Sequence, residues 1–145
     1  MTIGRMPSEF KLTRTVEFFE TDMAGIMHFS NFFRHMEAAE HAFVRSLGLS
    51  IAPAVKDGPP IGWPRVAVSC EYKRPLKFED VVEIELKVAA KTEKAITYNF
   101  AFRKLGEKEE CARGSMTVVC VTFREGRMQA TFIPKEFSDK IEVAA

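Results

Sequence analysis

Apolar and polar residues alternate with period two in four stretches of this chain, and a fifth is β-prone throughout. Between the first and second the period becomes helical. Phe10, Leu12, Val16 and Phe18 fall on one side of the first extended segment. Val66, Val68, Cys70 and Tyr72 alternate with Arg65, Ala67, Ser69, Glu71 and Lys73. Val82, Ile84, Leu86 and Val88 alternate with Glu83, Glu85 and Lys87, and Ile96, Tyr98, Phe100 and Phe102 with Thr97, Asn99, Ala101 and Arg103. From Cys111 to Phe123 most residues favour strand. One apolar face per strand predicts a sheet covered on one side, which favours antiparallel pairing. Short links with turn chemistry, at Pro75, Lys91 to Lys94 and Gly106, join the last four strands.

From Ser30 to Leu47, residues Phe32, Met36, Ala39, Phe43 and Leu47 form one stripe at helical spacing. Ala38, Ala39 and Ala42 are small enough to let a sheet approach closely. Ser30 or Asn31 fits the N-cap and Gly48 the position just past the C-cap. Pro53, Pro59, Pro60 and Pro64 mark an irregular crossing loop, and a short second helix is expected after Pro134. One long helix and one sheet must bury each other. The pattern therefore predicts an α+β architecture, an antiparallel five-stranded sheet curled around one long central helix. The whole chain, 1–145, reads as a single domain.

A formal net charge of +1 supplies no basic face of the kind nucleic acid requires. Cys70, Cys111 and Cys120 are odd in number and form no C-x-x-C pair, so free thiols in a reducing, cytoplasmic compartment are expected. Met1 to Glu9 lack the apolar core of a signal peptide. No stretch approaches the roughly 20 apolar residues of a membrane span. Thirteen Phe against one Trp and two Tyr predict aromatic packing with few polar handles.

The chemistry concentrates between Phe19 and Glu40. Asp22 leaves the first strand, Gly25 permits a tight bend, and the helix begins a few residues later. A carboxylate beside free helix N–H groups could serve acyl transfer, with the N–H groups polarising a carbonyl. Thr21-Asp22-Met23-Ala24-Gly25 also reads as an ordinary turn. No Ser or Cys triad and no local metal-ligand cluster is evident.

Read from Glu20 through Asp22, Gly25, His28 and Phe29 to Phe32, this segment resembles the signature of the 4-hydroxybenzoyl-CoA thioesterase family. Met36-Glu37-Ala38-Ala39, Gly48-Leu49, Gly62-Trp63-Pro64, Tyr72, Pro75-Leu76 and Asp80 extend the likeness over about residues 10 to 134. The resemblance implies a hotdog fold and hydrolysis of an aroyl- or short acyl-CoA. It makes Asp22 the nucleophile or general base and the Phe29 backbone N–H the group that polarises the thioester. Glu37, with Glu40 on the same helix, is a candidate supporting carboxylate. Gly25, His28, Phe32, Trp63 and Pro64 would line the substrate site, and Lys91, Lys94 and Arg127 would meet the phosphates of CoA, with Lys73 and Arg74 as further candidates. The Ser50 to Gly62 loop is expected to bear on pocket length. No metal or separate cofactor is implied, because CoA is part of the substrate, and the assembly expected is a homodimer or homotetramer without nucleic-acid or membrane partners.

Two departures stand out. Glu20 replaces the usual first Asp, and His28-Phe29 stands where many relatives have Tyr-His, so a His need not assist in the same way. His35 and His41 are expected at the surface or an interface. Rival readings are a thioesterase acting on a carrier protein, a hydratase (whose Asp/His spacing is not matched) and a non-catalytic acyl-CoA binder.

Overall fold

The computed structural model describes residues 8–53 and 59–145. Positions 54–58 of the crossing loop lie outside them. Strand β1 (Glu9–Thr15) leads through a 3-10 turn (Phe18–Glu20) to helix α1 (Ser30–Ser46). There follow β2 (Ile61–Gly62), β3 (Arg65–Tyr72), β4 (Val81–Lys91), β5 (Ala95–Lys104), β6 (Glu110–Val119), β7 (Val121–Arg124), β8 (Arg127–Ala130) and a short helix α2 (Lys135–Ser138). The main sheet is antiparallel with strand order β1-β4-β5-β6-β3.

The alternating pattern explains this arrangement directly. Val82, Ile84, Leu86 and Val88 of β4, and Ile96, Tyr98, Phe100 and Phe102 of β5, face the helix and are buried. Phe32, Met36, Ala39 and Phe43 of α1 come down on them and are equally buried. Met36 lies over Gly114 of β6, where its side chain fills the space a Cβ would need. Helix α1 ends in a Schellman motif: Gly48, at φ +77°, donates to Arg45 O and Leu49 to Val44 O.

Three expectations need correction. The first strand stops at Thr15, because Glu17 and Glu20 form a reciprocal capping box that winds the chain into the 3-10 turn. Phe18 is consequently 74% exposed rather than on the core face. The fifth strand does not run unbroken to Phe123. It breaks at Cys120, which bonds to Lys94 and Thr131, and the chain continues into a separate three-stranded sheet, β2-β7-β8. Lastly, the apolar face of β3 is open: Val66 is 60% exposed, and Val68 and Tyr72 are also exposed. Strand β3 is an edge of the main sheet and reaches beyond the cover that α1 provides.

Candidate active site

Asp22 sits at the head of a tight hairpin. Thr21 and Met27 form an antiparallel bridge, Asp22 N–H donates to Ile26 O at 2.9 Å, and Gly25 N–H donates to Asp22 O at 3.0 Å. Gly25 adopts φ +81°, which the absence of a Cβ makes easy. Within the bend, Ala24 N–H donates to Asp22 Oδ1 at 2.8 Å. That bond orients the carboxylate and leaves Oδ2 without a protein partner among the described residues.

The hairpin is fastened to α1 through Glu20. Its carbonyl accepts His28 N–H at 2.8 Å and the Asn31 side-chain amide at 2.8 Å. Its carboxylate accepts Glu17 N–H at 2.9 Å and meets His35 Nε2 at 2.7 Å. Burial alone would raise Glu20, but these two bonds outweigh it and hold the carboxyl below its ordinary range. His35 is fully buried with Nδ1 unpartnered among the described residues. Burial keeps its titration below the ordinary histidine value despite the neighbouring carboxylate. A neutral ring donating from Nε2 to an ionised Glu20 satisfies both facts, because protonation would place a second N–H where nothing accepts it. The expected surface position of His35 is therefore wrong. Its place was legible, since position 35 lies on the same helical stripe as Phe32, Met36 and Ala39.

At the helix start, His28 Nδ1 accepts from the Ser30 hydroxyl at 2.8 Å and from Ser30 N–H at 3.3 Å, so this histidine acts as a cap. Phe29 N–H has no acceptor among the described residues, and Phe29 O accepts the Tyr72 hydroxyl at 3.3 Å. Asp22, Phe29, Phe32 and Tyr72 line one cleft of about 450 Å³, with Met27, Leu76 and Arg74 in its walls. The Tyr72 ring stands edge-on to Phe32, centroids 5.1 Å apart, and to Phe29 at 6.4 Å.

Other sequence-derived candidates lie elsewhere. Trp63 is buried against Phe137 of α2, with ring centroids 5.3 Å apart. The Pro64 carbonyl accepts Val119 N–H. Neither lines the Asp22 cleft. Glu37 is exposed and pairs with Arg65 at 3.2 Å. Its neighbour Glu40 is fully buried and also binds Arg65, and burial pushes its carboxyl up to about 7. Lys91 donates to Ser138 O at 2.9 Å and Ile141 O at 2.7 Å, tying down the end of α2, and Lys94 lies over the Phe132 ring at 5.1 Å. Arg127 is exposed on β8. Strand β4 begins beside Val16 near the hairpin and ends at Lys91, and its eleven residues extend about 35 Å. Within one chain Lys91 and Lys94 stand at the far end of the main sheet and Arg127 on the separate three-stranded sheet, whereas Lys73 and Arg74 stand at the cleft. No group of metal-ligating side chains occurs among the described residues, and no helix of theirs is long and apolar enough to cross a membrane.

Comparison with known proteins meets this geometry. The family model described as "Thioesterase-like superfamily" matches residues 16–141. A protein of Aquifex aeolicus whose name carries the word esterase is 34% identical over 129 residues, covering 88% of this chain and 93% of the relative. A 1,4-dihydroxy-2-naphthoyl-CoA hydrolase of Prochlorococcus marinus is 33% identical over 115 residues, 72% of each chain. Among solved structures, a gentisyl-coenzyme A thioesterase superposes with TM-score 0.74 at 27% identity, covering 89% of this chain and 99% of the other.

Proposed function

The chain belongs to the thioesterase-like superfamily, and on that premise we propose that it hydrolyses an aroyl- or short acyl-CoA to the free acid and CoA. One observation carries the reading. A carboxylate with a free oxygen and an unpartnered N–H at the head of a 17-residue helix open on the same aromatic-walled cleft. The Phe29 N–H and the positive end of α1 would stabilise negative charge on the thioester oxygen as the carbonyl is attacked. Asp22 can act in two balanced ways. As nucleophile it forms an acyl-aspartyl anhydride and expels the CoA thiolate, and water then cleaves the anhydride. As general base it takes a proton from a water that attacks the carbonyl directly, and the tetrahedral adduct then collapses, breaking the C–S bond and expelling the CoA thiolate, which takes up the proton. The rings of Phe29, Phe32 and Tyr72 suit a flat or short acyl group, and relatives named for aromatic CoA thioesters agree with that choice.

The site is read as belonging to a homodimer or larger assembly. Edge strand β3 leaves its backbone unpaired and presents Val66, Val68 and Tyr72 beyond the cover of α1. A second copy laid along β3 would cover them next to the Asp22 cleft. Sedimentation at assay concentration should give at least twice the 16.4 kDa chain mass, and an active species of single-chain mass would refute the assembly.

The decisive test of the chemistry is Asp22→Asn. It should keep fold and assembly while lowering kcat, measured by thiol release from benzoyl-CoA, by about 10²-fold or more. Near-normal turnover in the folded variant would remove Asp22 from the mechanism.

A further inference from the structure

The helix head carries a second cleft, of about 540 Å³, that shares no lining residue with the Asp22 cleft. Thr21 and Asp22, consecutive in the hairpin arm, line different clefts. The second is walled by Arg14, Arg34, His28, Asn31 and Phe19, and Glu20 is its one acidic residue. Arg34 is pre-set, since its Nη1 donates to Asn31 Oδ1 at 2.8 Å and Asn31 is itself buried and bonded to Glu20 O. Arg14 has no ion-pair partner among the described residues. Both Glu20 oxygens are occupied, by Glu17 N–H and by His35. His28 uses Nδ1 as an acceptor from Ser30, so a neutral ring carries its proton at Nε2, available to donate. Phe19 is 81% exposed and offers a bare ring. A third cleft of about 420 Å³ along α1 shares Arg14 and Arg34 and adds His41 and Arg45.

Two guanidinium groups, an imidazole N–H and an exposed aromatic face make a donor set for phosphoryl oxygens and a flat base. Of the three cations expected at the CoA phosphates, Lys91 is committed to two carbonyls, Lys94 lies over the Phe132 ring, and Arg127 stands exposed on β8. We propose that the cleft bounded by Arg14, Arg34, His28 and Phe19 binds the phosphorylated adenosine end of coenzyme A or a free adenine nucleotide. For the coenzyme source the proposal rests on the thioesterase reading. For the free nucleotide it does not.

Calorimetric titration of the unmutated chain and of two variants tests it, using CoA, ATP, 3′-phosphoadenosine 5′-phosphate and pantetheine as probes. Arg34→Ala with Arg14→Gln should weaken binding of CoA or of the free nucleotides about tenfold or more, and leave pantetheine unchanged. Lys94→Ala with Arg127→Ala should leave nucleotide affinity as it was. A CoA-selective loss identifies the coenzyme tail, and an equal loss for all three nucleotides identifies a general nucleotide site. Unchanged nucleotide affinity in the Arg14 and Arg34 variant overturns the proposal, as does a loss that appears with Lys94 and Arg127 instead. Arg34→Ala alone and Phe19→Ala alter only exposed side chains, so each checks the result where the double variant folds poorly. S-benzoyl-pantetheine lacks the nucleotide. If the unmutated chain fails to hydrolyse it and benzoyl-CoA alike, the thioesterase reading falls while the titrations still decide the nucleotide site.

Discussion

Glu20 and Glu40 are both buried carboxylates tied to helix α1, yet their acidities move in opposite directions. Glu20 stays below its ordinary range facing a neutral histidine, while Glu40 rises to about 7 facing a full positive charge on Arg65. Deeper burial of Glu40 comes first, and the number of fixed donors comes next. Each Glu20 oxygen receives an N–H, one of them from the rigid backbone. Glu40 receives Arg65 on Oε1 and, among the described residues, has no partner on Oε2. An unmet oxygen in a dry site costs more than one good ion pair returns. The two pairs also serve different ends: Glu20 holds the Asp22 hairpin against the helix, and Glu40 holds the start of edge strand β3.

Removing the cation should break this contrast most strongly. Arg65→Met keeps the alkyl stem but strands Glu40 without its partner. Stability measured by chemical denaturation at pH 8 is expected to fall by about 3–5 kcal/mol, the usual cost of leaving one member of a buried pair unpartnered. Well below pH 7, where Glu40 takes up a proton, the loss should shrink. A loss under about 1 kcal/mol at pH 8 would mean that Arg65 does not support Glu40.

At the helix head, removing the uncharged partner should matter less for stability and more for turnover. His35→Phe leaves one Glu20 oxygen without its donor, a cost of about 1–3 kcal/mol. The released Glu20 no longer fixes the hairpin, so kcat for benzoyl-CoA should drop with KM little changed. His35→Gln restores a donor and should recover much of the rate. Full kcat in folded His35→Phe would reduce the pair to a stabilising contact with no hold on Asp22.

Fold legibility followed where one face of an element meets the core. Strands β4 and β5 and the stripe of α1 are set by alternation and helical spacing, and they stand where those patterns place them. Strand β3 carries the same alternation, but periodicity does not say how far a neighbouring helix reaches, so its open face was invisible. The 3-10 turn and the break at Cys120 depend on side-chain-to-backbone and backbone bonds that carry no period. In the site, Asp22, Phe29 and Phe32 are near neighbours in sequence and line one cleft, whereas Gly25 shapes the hairpin and His28 lies on the neighbouring cleft. Trp63 and Lys91 are remote from them in sequence and packing took each elsewhere, and Glu37, on the same helix as Phe32, points out to Arg65. Polar residues at helical spacing on the buried side of α1, His35 and Glu40, are the sequence signal for buried partners, and the expectation of His35 at the surface or an interface left no place for its pairing with Glu20.

The smallest effect is the sharpest test of the contrast, because it concerns the sign of a slope. Glu40 has a folded-state value near 7 against 4.5 for a free glutamate. Its contribution to stability is fully present below 4.5 and is lost as pH rises through about 7. His35 titrates below the 6.5 of a free histidine when folded, so acidification charges the unfolded chain first, and stability falls as pH drops from 6.5. Glu20, held below 4.5, adds a further loss only at lower pH still. Between 4.5 and 6.5 the Glu40 and His35 contributions therefore oppose each other, and the unmutated chain should show a shallow profile. His41, lowered by its own partial burial, acts in the same direction as His35 and more weakly, being partly exposed. Glu40→Gln removes the falling contribution and should make stability climb with pH across this window. His35→Gln removes the rising one and should make stability decline. No single site can contribute more than about 1.4 kcal/mol per pH unit, so the slopes should differ by less than about twice that. Protein concentration must be held fixed, since association would shift both curves. Slopes of the same sign in the two variants would show that Glu40 and His35 do not titrate in opposition, and the contrast between the two buried carboxylates would fail with them.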